Sequence, residues 1–161
     1  MKIRNIIITL VSAIALLISA STVSFAKVVG DKIVLGAAVS LTGKYSSNGV
    51  HTQNGYNLAV ERINSMGGVT VGGKSYKFEI IYYDDESNSG RAAQLAERLI
   101  KQDGVQYMLG PYSSGLTKAM APVTEKYGIP MVEANGASRS LFTKGYKYLF
   151  AVLAPANLYL D

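Results

Sequence analysis

Val105-Gln106-Tyr107-Met108-Leu109, then Gly110-Pro111-Tyr112-Ser113-Ser114-Gly115, then Leu116 to Tyr127 is the stretch that decides the fold of this chain. The first five residues are a short apolar run and read as a buried strand. In the last segment Leu116, Ala119, Met120, Val123 and Tyr127 recur at helical spacing. The six residues between them therefore carry the chain from the carboxyl end of a strand into the amino end of a helix. The first turn of a helix has free N–H groups and a partial positive charge, so a small anionic group is stabilised there. Ser113 and Ser114 cap that helix or hold a ligand, and the residues alone leave both open.

Outward from this loop the same alternation repeats. Lys32 to Leu41 is apolar without alternation, as in a strand covered on both faces. A polar loop from Thr42 to Gly49 follows. A helix is expected next, with Gly55, Ala59, Ile63 and Met66 on its inner stripe and Asn54, Asn57 and Glu61 opposite. Gly67-Gly68 ends it. Gly72-Gly73 turns a small hairpin between Val69-Thr70-Val71 and Ser75-Tyr76. Lys77 to Tyr83 reads as a second core strand. A second helix buries Ala92, Ala96, Leu99 and Ile100 and turns Arg91, Gln94, Arg98 and Lys101 outward. Asp103-Gly104 closes that helix. Pro122 inside the third helix predicts a kink or an early break. Ile129 to Ala134 and Tyr148 to Leu153 are a fourth and a fifth strand.

Strands alternating with helices imply an α/β fold, a doubly wound parallel sheet with right-handed crossovers. Ligands of such sheets sit beyond the carboxyl ends of the strands, where the strand order reverses. Three loops end strands on that side: Leu41 to Gly49, Gly110 to Gly115 and Asn135 to Ser138. All are rich in small and hydroxyl residues, which lets backbone N–H groups approach a polar ligand.

Composition narrows the chemistry. The 161 residues fit one domain and contain no Cys and one His. Disulfides, Cys-based zinc and a multi-His metal site are excluded. The formal charge is +5; without Lys2 and Arg4 it is +3, from 14 basic and 11 acidic residues. These are spread along the chain, so no nucleic-acid stripe is present. Lys2 and Arg4, the apolar run from Ile6 to Ala20 and Ser24-Phe25-Ala26 have the order of a secretory signal peptide. Residues 1–26 are read as that leader. The mature chain would start at Lys27, and a periplasmic protein of a Gram-negative cell fits this order.

Three local patterns read as decoys. Gly68 to Ser75 matches a phosphate-loop spacing, but a helix precedes it and a strand follows. Asp84-Asp85-Glu86 reads as a solvated turn capping the next helix rather than a cation site. His51 reads as a surface or loop-packing residue. Nothing assembles into a nucleophile with a base, and no enzyme is expected.

The motifs in order are Leu41-Thr42-Gly43, Asn64-Ser65-Met66-Gly67-Gly68, Tyr83-Asp84-Asp85, Asp103-Gly104-Val105, Gly110-Pro111-Tyr112-Ser113-Ser114, Ala121-Pro122-Val123 and Tyr127-Gly128-Ile129-Pro130. In this order the chain resembles the periplasmic branched-chain amino-acid binding proteins, the type I solute-binding components of ABC transporters. The resemblance implies two α/β lobes joined by hinge strands and closing on an amino acid. It implies no cofactor, permease subunits as partners and a monomeric full-length protein. The family's carboxylate-binding serine falls on Ser114, with Tyr112 and Ser113 before it. Its backbone contacts fall on Asn135, Gly136, Ala137 and Ser138. The family threonine is Ala137 here, with the Ser138 hydroxyl next to it, and a family tyrosine falls on Asn48. The resemblance further implies that residues 27–161 are the N-terminal part of a ligand-binding lobe, the first lobe only, ending near the first interlobe hinge. An amide or urea receptor, or a small-carboxylate sensor, on the same lobe is the alternative.

Overall fold

The computed structural model describes residues 28–159. The leader, its cleavage site and Lys27 lie outside the described residues. Strand β1 (Val28–Val29) turns back into β2 (Lys32–Val39). Then come α1 (Ser46–Ser65), β3 (Val69–Val71), β4 (Lys74–Asp84) and α2 (Ser89–Lys101). After them come β5 (Met108–Leu109), α3 (Ser114–Tyr127), β6 (Met131–Glu133) and β7 (Leu149–Ala151). Short 3-10 turns at Arg139–Leu141 and Ala156–Leu158 complete the described chain.

The strands lie in the order β3-β4-β2-β5-β6-β7, with β1 beside β2. Strands β4, β2, β5, β6 and β7 are mutually parallel. From β2 the chain goes out to β4 on one side, then crosses to β5 on the other. The order therefore reverses between β2 and β5, which is the doubly wound arrangement expected of the alternation.

Even positions of β2, Val34 and Ala38, join Met108, Met131 and Leu149 on one face of the sheet. Helices α2 and α3 cover that face with Ala92, Leu95, Ala96, Leu99, Leu116, Met120 and Ala121. These side chains are nearly all out of water, and burying each large one stabilises the fold by ~1.5–3 kcal/mol. The α2 stripe is thus as expected, with Ile100 at its margin.

Helix α1 lies on the other face, rotated from its expected setting. Gly55, Ala59 and Met66 are exposed; the residues turned inward are Gly49, Thr52, Tyr56 and Ile63. The close seat of Gly49 explains the rotation. A Cβ there would lie 1.8 Å from the Ser40 carbonyl oxygen, so only glycine lets the helix approach the end of β2. Asn64 then fixes the far end of α1. Its side chain accepts from the Phe78 amide at 2.8 Å and donates to the Phe78 carbonyl at 2.8 Å.

Other expectations shift. The second core strand is β4, longer than expected, and none of its residues is fully buried, because α1 covers only part of its face. The strand at Val105 is only Met108–Leu109; Val105 itself is buried, its amide bonded to the Leu99 carbonyl. Strands β6 and β7 are likewise shorter than the apolar runs that contain them. Helix α3 runs unbroken through Pro122. Pro122 and Lys118 are both exposed, so water can satisfy the carbonyl that the proline leaves unbonded. Gly72-Gly73 turns the β3–β4 hairpin at the amino end of β4, so the phosphate-loop spacing falls away from the ligand end of the sheet.

Candidate functional site

The carboxyl ends of β2, β5 and β6 bring the three loops together. The Asp84-Asp85-Glu86 turn, expected to be solvated, instead organises the first. Asp84 Oδ1 accepts from the amides of Leu41, Thr42 and Glu86, and Oδ2 from the Thr42 hydroxyl at 2.7 Å. Burial alone would raise the Asp84 carboxyl. The Thr42 hydroxyl and the three amides outweigh it and hold the group below the usual carboxylate range. Asp85 is fully buried and accepts from the Ser40 hydroxyl at 2.6 Å and the Ser87 amide at 2.8 Å. Burial pushes its carboxyl up, with the Asp84 charge adding to the effect. The cap of α2 is Asn88, accepting from the Arg91 amide, not this turn. Among the described residues no group of three or more His, Cys, Asp or Glu could hold a metal ion.

A cleft of about 390 Å³ opens between α1 and the ends of β5 and β6. Helix α1 lines it with Asn48, His51, Thr52, Gly55 and Tyr56; the loops supply Tyr112, Ala134 and Asn135. It sits at the point where strand order reverses, the place a doubly wound sheet reserves for ligands. Tyr56 donates its hydroxyl to the Gly110 carbonyl at 2.7 Å, which ties α1 to the β5 loop. Burial raises the Tyr56 phenol far above its ordinary value, and the charge of Glu133 acts in the same sense, so it stays a neutral donor. Tyr112 packs edge-on against Tyr45, ring centroids 5.5 Å apart. Thr52 donates to the Asn48 carbonyl at 2.9 Å and accepts from Asn135 Nδ2 at 3.3 Å.

Of the expected site residues, Asn48, Tyr112 and Asn135 line this cleft. Ser113 caps α3: its side chain accepts from the Leu116 amide at 3.4 Å, and its φ of +80° is a left-handed setting costly for serine. Ser114 Oγ accepts from the Ser138 amide at 3.0 Å, so it ties the second loop to the third and keeps its own proton free to donate. Gly136 is buried, and a Cβ there would lie 2.9 Å from Leu141 Cδ1. The Ala137 carbonyl accepts from the Ala156 amide, and Ser138 Oγ lies 2.9 Å from Ser140 Oγ. None of these last five residues is part of the lining itself; they tie together the two loops that carry Tyr112 and Asn135, and Ser114 keeps a free proton two residues from Tyr112.

His51, Thr52, Gly55, Tyr56 and Ala134 line the cleft without having been singled out as ligand residues. A spacing signal existed: Asn48, Thr52 and Tyr56 are one helical stripe. His51 is exposed, as a surface residue would be, but on the lip of the cleft. Glu133 was also missed. It ends β6 fully buried, with Oε2 accepting from the amides of Asn135 at 3.1 Å and of Gly136, and Oε1 without a partner.

Comparison with known proteins matches residues 32–157 to the family described as periplasmic binding protein. The leucine-, isoleucine-, valine-, threonine- and alanine-binding protein of Pseudomonas aeruginosa is 27% identical over 128 residues, 80% of this chain and 33% of its own length. Leu/Ile/Val-binding protein homolog 8 of Brucella suis is 29% identical over 133 residues, 83% of this chain and 32% of its own. The chain thus spans about a third of the length of these relatives. Among solved structures, the branched-chain amino acid transporter substrate binding protein of Streptococcus pneumoniae, in complex with isoleucine, superposes with a TM-score of 0.69. It is 31% identical and covers 77% of this chain and 34% of its own. A solute binding protein of an ABC transporter from Rhodopseudomonas palustris, in complex with 3,4-dihydroxybenzoic acid, gives 0.65 at 27% identity, over 78% of this chain and 32% of its own.

Proposed function

The chain belongs to the periplasmic binding proteins, and from that premise we propose that it is the first lobe of an extracytoplasmic solute-binding component of an ABC transporter, taking a branched-chain or related amino acid. The observation that carries this is the cleft at the strand-order reversal, walled by Asn48, Tyr112 and Asn135 beside the free Ser114 proton. The α3 amino terminus and the Ser114 hydroxyl suit a carboxylate. The lining carries no carboxylate, lysine or arginine, which suits a solute that is held and released without chemistry. Permease subunits would be the partners of the complete protein, which we read as a monomer and a carrier rather than an enzyme.

The charged start, the apolar run and Ser24-Phe25-Ala26 support export, with cleavage after Ala26. Mass spectrometry of the exported chain should find Lys27 first; a retained leader would contradict this.

Titration of the chain with leucine, isoleucine and valine, followed by amide and side-chain NMR, tests the site. Saturable shifts at Asn48, Tyr112 and Asn135 are expected. Shifts confined to other surfaces would refute it. A small carboxylate with an aromatic ring is the second reading. It is favoured by the two tyrosines on the wall and by the relative that holds 3,4-dihydroxybenzoic acid. Tighter binding of that compound than of leucine would select it.

A further inference from the structure

Strand β6 ends in a residue that its position does not ask for. Glu133 is fully buried beside Gly110, where a Cβ would lie 2.6 Å from Glu133 Cβ. On its other side, a Cβ at Gly136 would lie 2.6 Å from Glu133 Oε2. Two glycines therefore make the room the side chain occupies. A buried carboxylate is costly unless its oxygens are bonded. Here one oxygen takes two successive amides of the third loop and the other takes nothing. An apolar residue would fill the site without that cost, but it would leave the Asn135 and Gly136 amides unbonded.

We propose that Glu133 is a positioning residue for the solute: by holding the Asn135 and Gly136 amides, its carboxylate fixes the third loop and aims Asn135 into the cleft. The proposal rests on the reading of that cleft as the solute site. The backbone of Glu133 is itself held in the sheet, paired with Ala151 of β7 and accepting from the Val152 amide at 3.0 Å. The loop thus hangs from a fixed strand end through one side chain. Asn135 in turn meets Thr52 of α1 across the cleft.

The device is proton-sensitive in a defined sense. Burial pushes the Glu133 carboxyl above the usual carboxylate range, against the pull of the Gly136 and Asn135 amides. Protonation leaves Oε2 a neutral acceptor, and a neutral hydrogen bond is about half as strong as a charged one. Tyr56 of α1 is the titratable side chain facing Glu133, and it stays neutral. Thr117 of α3 and Leu141 of the following 3-10 turn, which border Gly136, do not titrate. Acidification should therefore loosen the loop and weaken binding.

The test compares a chain carrying both lobes with its Glu133→Gln variant. Leucine affinity is measured by NMR titration between about pH 5 and 8, and exchange of the Asn135 and Gly136 amides is followed without solute. The expected result is wild-type affinity that falls with acid. Glu133→Gln should bind about tenfold more weakly near neutral pH, the equivalent of ~1.4 kcal/mol, and lack the Glu133 part of the pH profile. Its melting temperature should be unchanged or higher, because a buried charge is gone. Every other ionisable group is common to both chains, so the difference between profiles reports Glu133. Both amides should exchange at least about tenfold faster in the variant. A variant that melts lower, yet keeps wild-type affinity and pH profile, overturns the proposal. So does tighter binding by Glu133→Gln, which would mean that the carboxylate repels the solute. If the wild-type chain binds no leucine while the amides still depend on Glu133, the cleft reading fails and the anchoring of the loop is supported.

Discussion

Ser114 shows how one hydroxyl serves two ends. Its oxygen accepts the Ser138 amide, and its proton remains to meet a carboxylate. A hydrogen bond to a charged group contributes about 1.5–3 kcal/mol. Ser114→Ala should therefore weaken leucine binding by roughly ten- to a hundredfold, read by calorimetry in a chain carrying both lobes. The thermal midpoint should fall only slightly, since one exposed-side loop tie is lost. Unchanged affinity in a folded variant would leave Ser114 as a loop tie alone. Gly49 is the opposite case, a residue with no chemistry and no tolerance. A methyl group there meets the Ser40 carbonyl at 1.8 Å, and backbone cannot swing aside. Gly49→Ala should cost about 3 kcal/mol or more, at the upper end of overpacking effects. Denaturant unfolding would measure it, and a loss well below 1 kcal/mol would mean that α1 is not seated as described.

At the scale of elements, β4 and the loop after it hold the site together through carboxylates of opposite tendency. Asp84 has a lowered folded pKa, so its contribution is present above its ordinary value of 3.8 and is lost as pH falls through the folded value. Asp85 and Glu133 are raised by burial. The folded state then binds more protons than the unfolded one, and these two groups cost stability as pH rises through their windows above 3.8 and 4.5. Denaturation at stepped pH should show an acid limb that Asp84→Asn flattens, together with a drop in midpoint near neutral pH. An acid limb unchanged by Asp84→Asn would place the cause in another carboxylate. The elements themselves were legible because strand and helix periods alternate cleanly from Lys32 onward. The setting of α1 was not legible, since Gly55, Ala59 and Met66 look inward by polarity while the seat is chosen by contact at Gly49. For the same reason the sequence pointed to Asn48 and Asn135 but not to Tyr56 or Glu133. Tyr56 shares a helical stripe with Asn48 and Thr52, but a polar stripe does not say which face is the inner one. A glutamate closing an apolar strand carries no periodic signal, and both roles depend on neighbours distant in the chain.

At the scale of the molecule the two faces of the sheet are unequal. Helices α2 and α3 close one face, whereas α1 covers only part of the other. There Ile33, Leu35, Val69, Phe78, Tyr107 and Val132 border an apolar groove of about 340 Å³, and Phe150 of β7 is 51% exposed. The relatives, about a third of whose length the chain spans, have further chain with which to cover such a face, and with which to close a cleft. In the described residues the cleft has walls only from α1 and the strand-end loops. Its fixed dipoles then act against water, where their attraction is weak. The chain alone should therefore hold leucine no better than about millimolar, or ~−4 kcal/mol. It should also bind a hydrophobic dye and self-associate through the open face as concentration rises. NMR titration and sedimentation equilibrium measure the two effects separately. Phe150→Lys, which puts a charge on the exposed face away from the cleft, should suppress association and leave leucine binding unchanged. Saturable micromolar binding by a monomeric chain would mean that this lobe is a complete site, and that neither the groove nor the open side of the cleft awaits a cover.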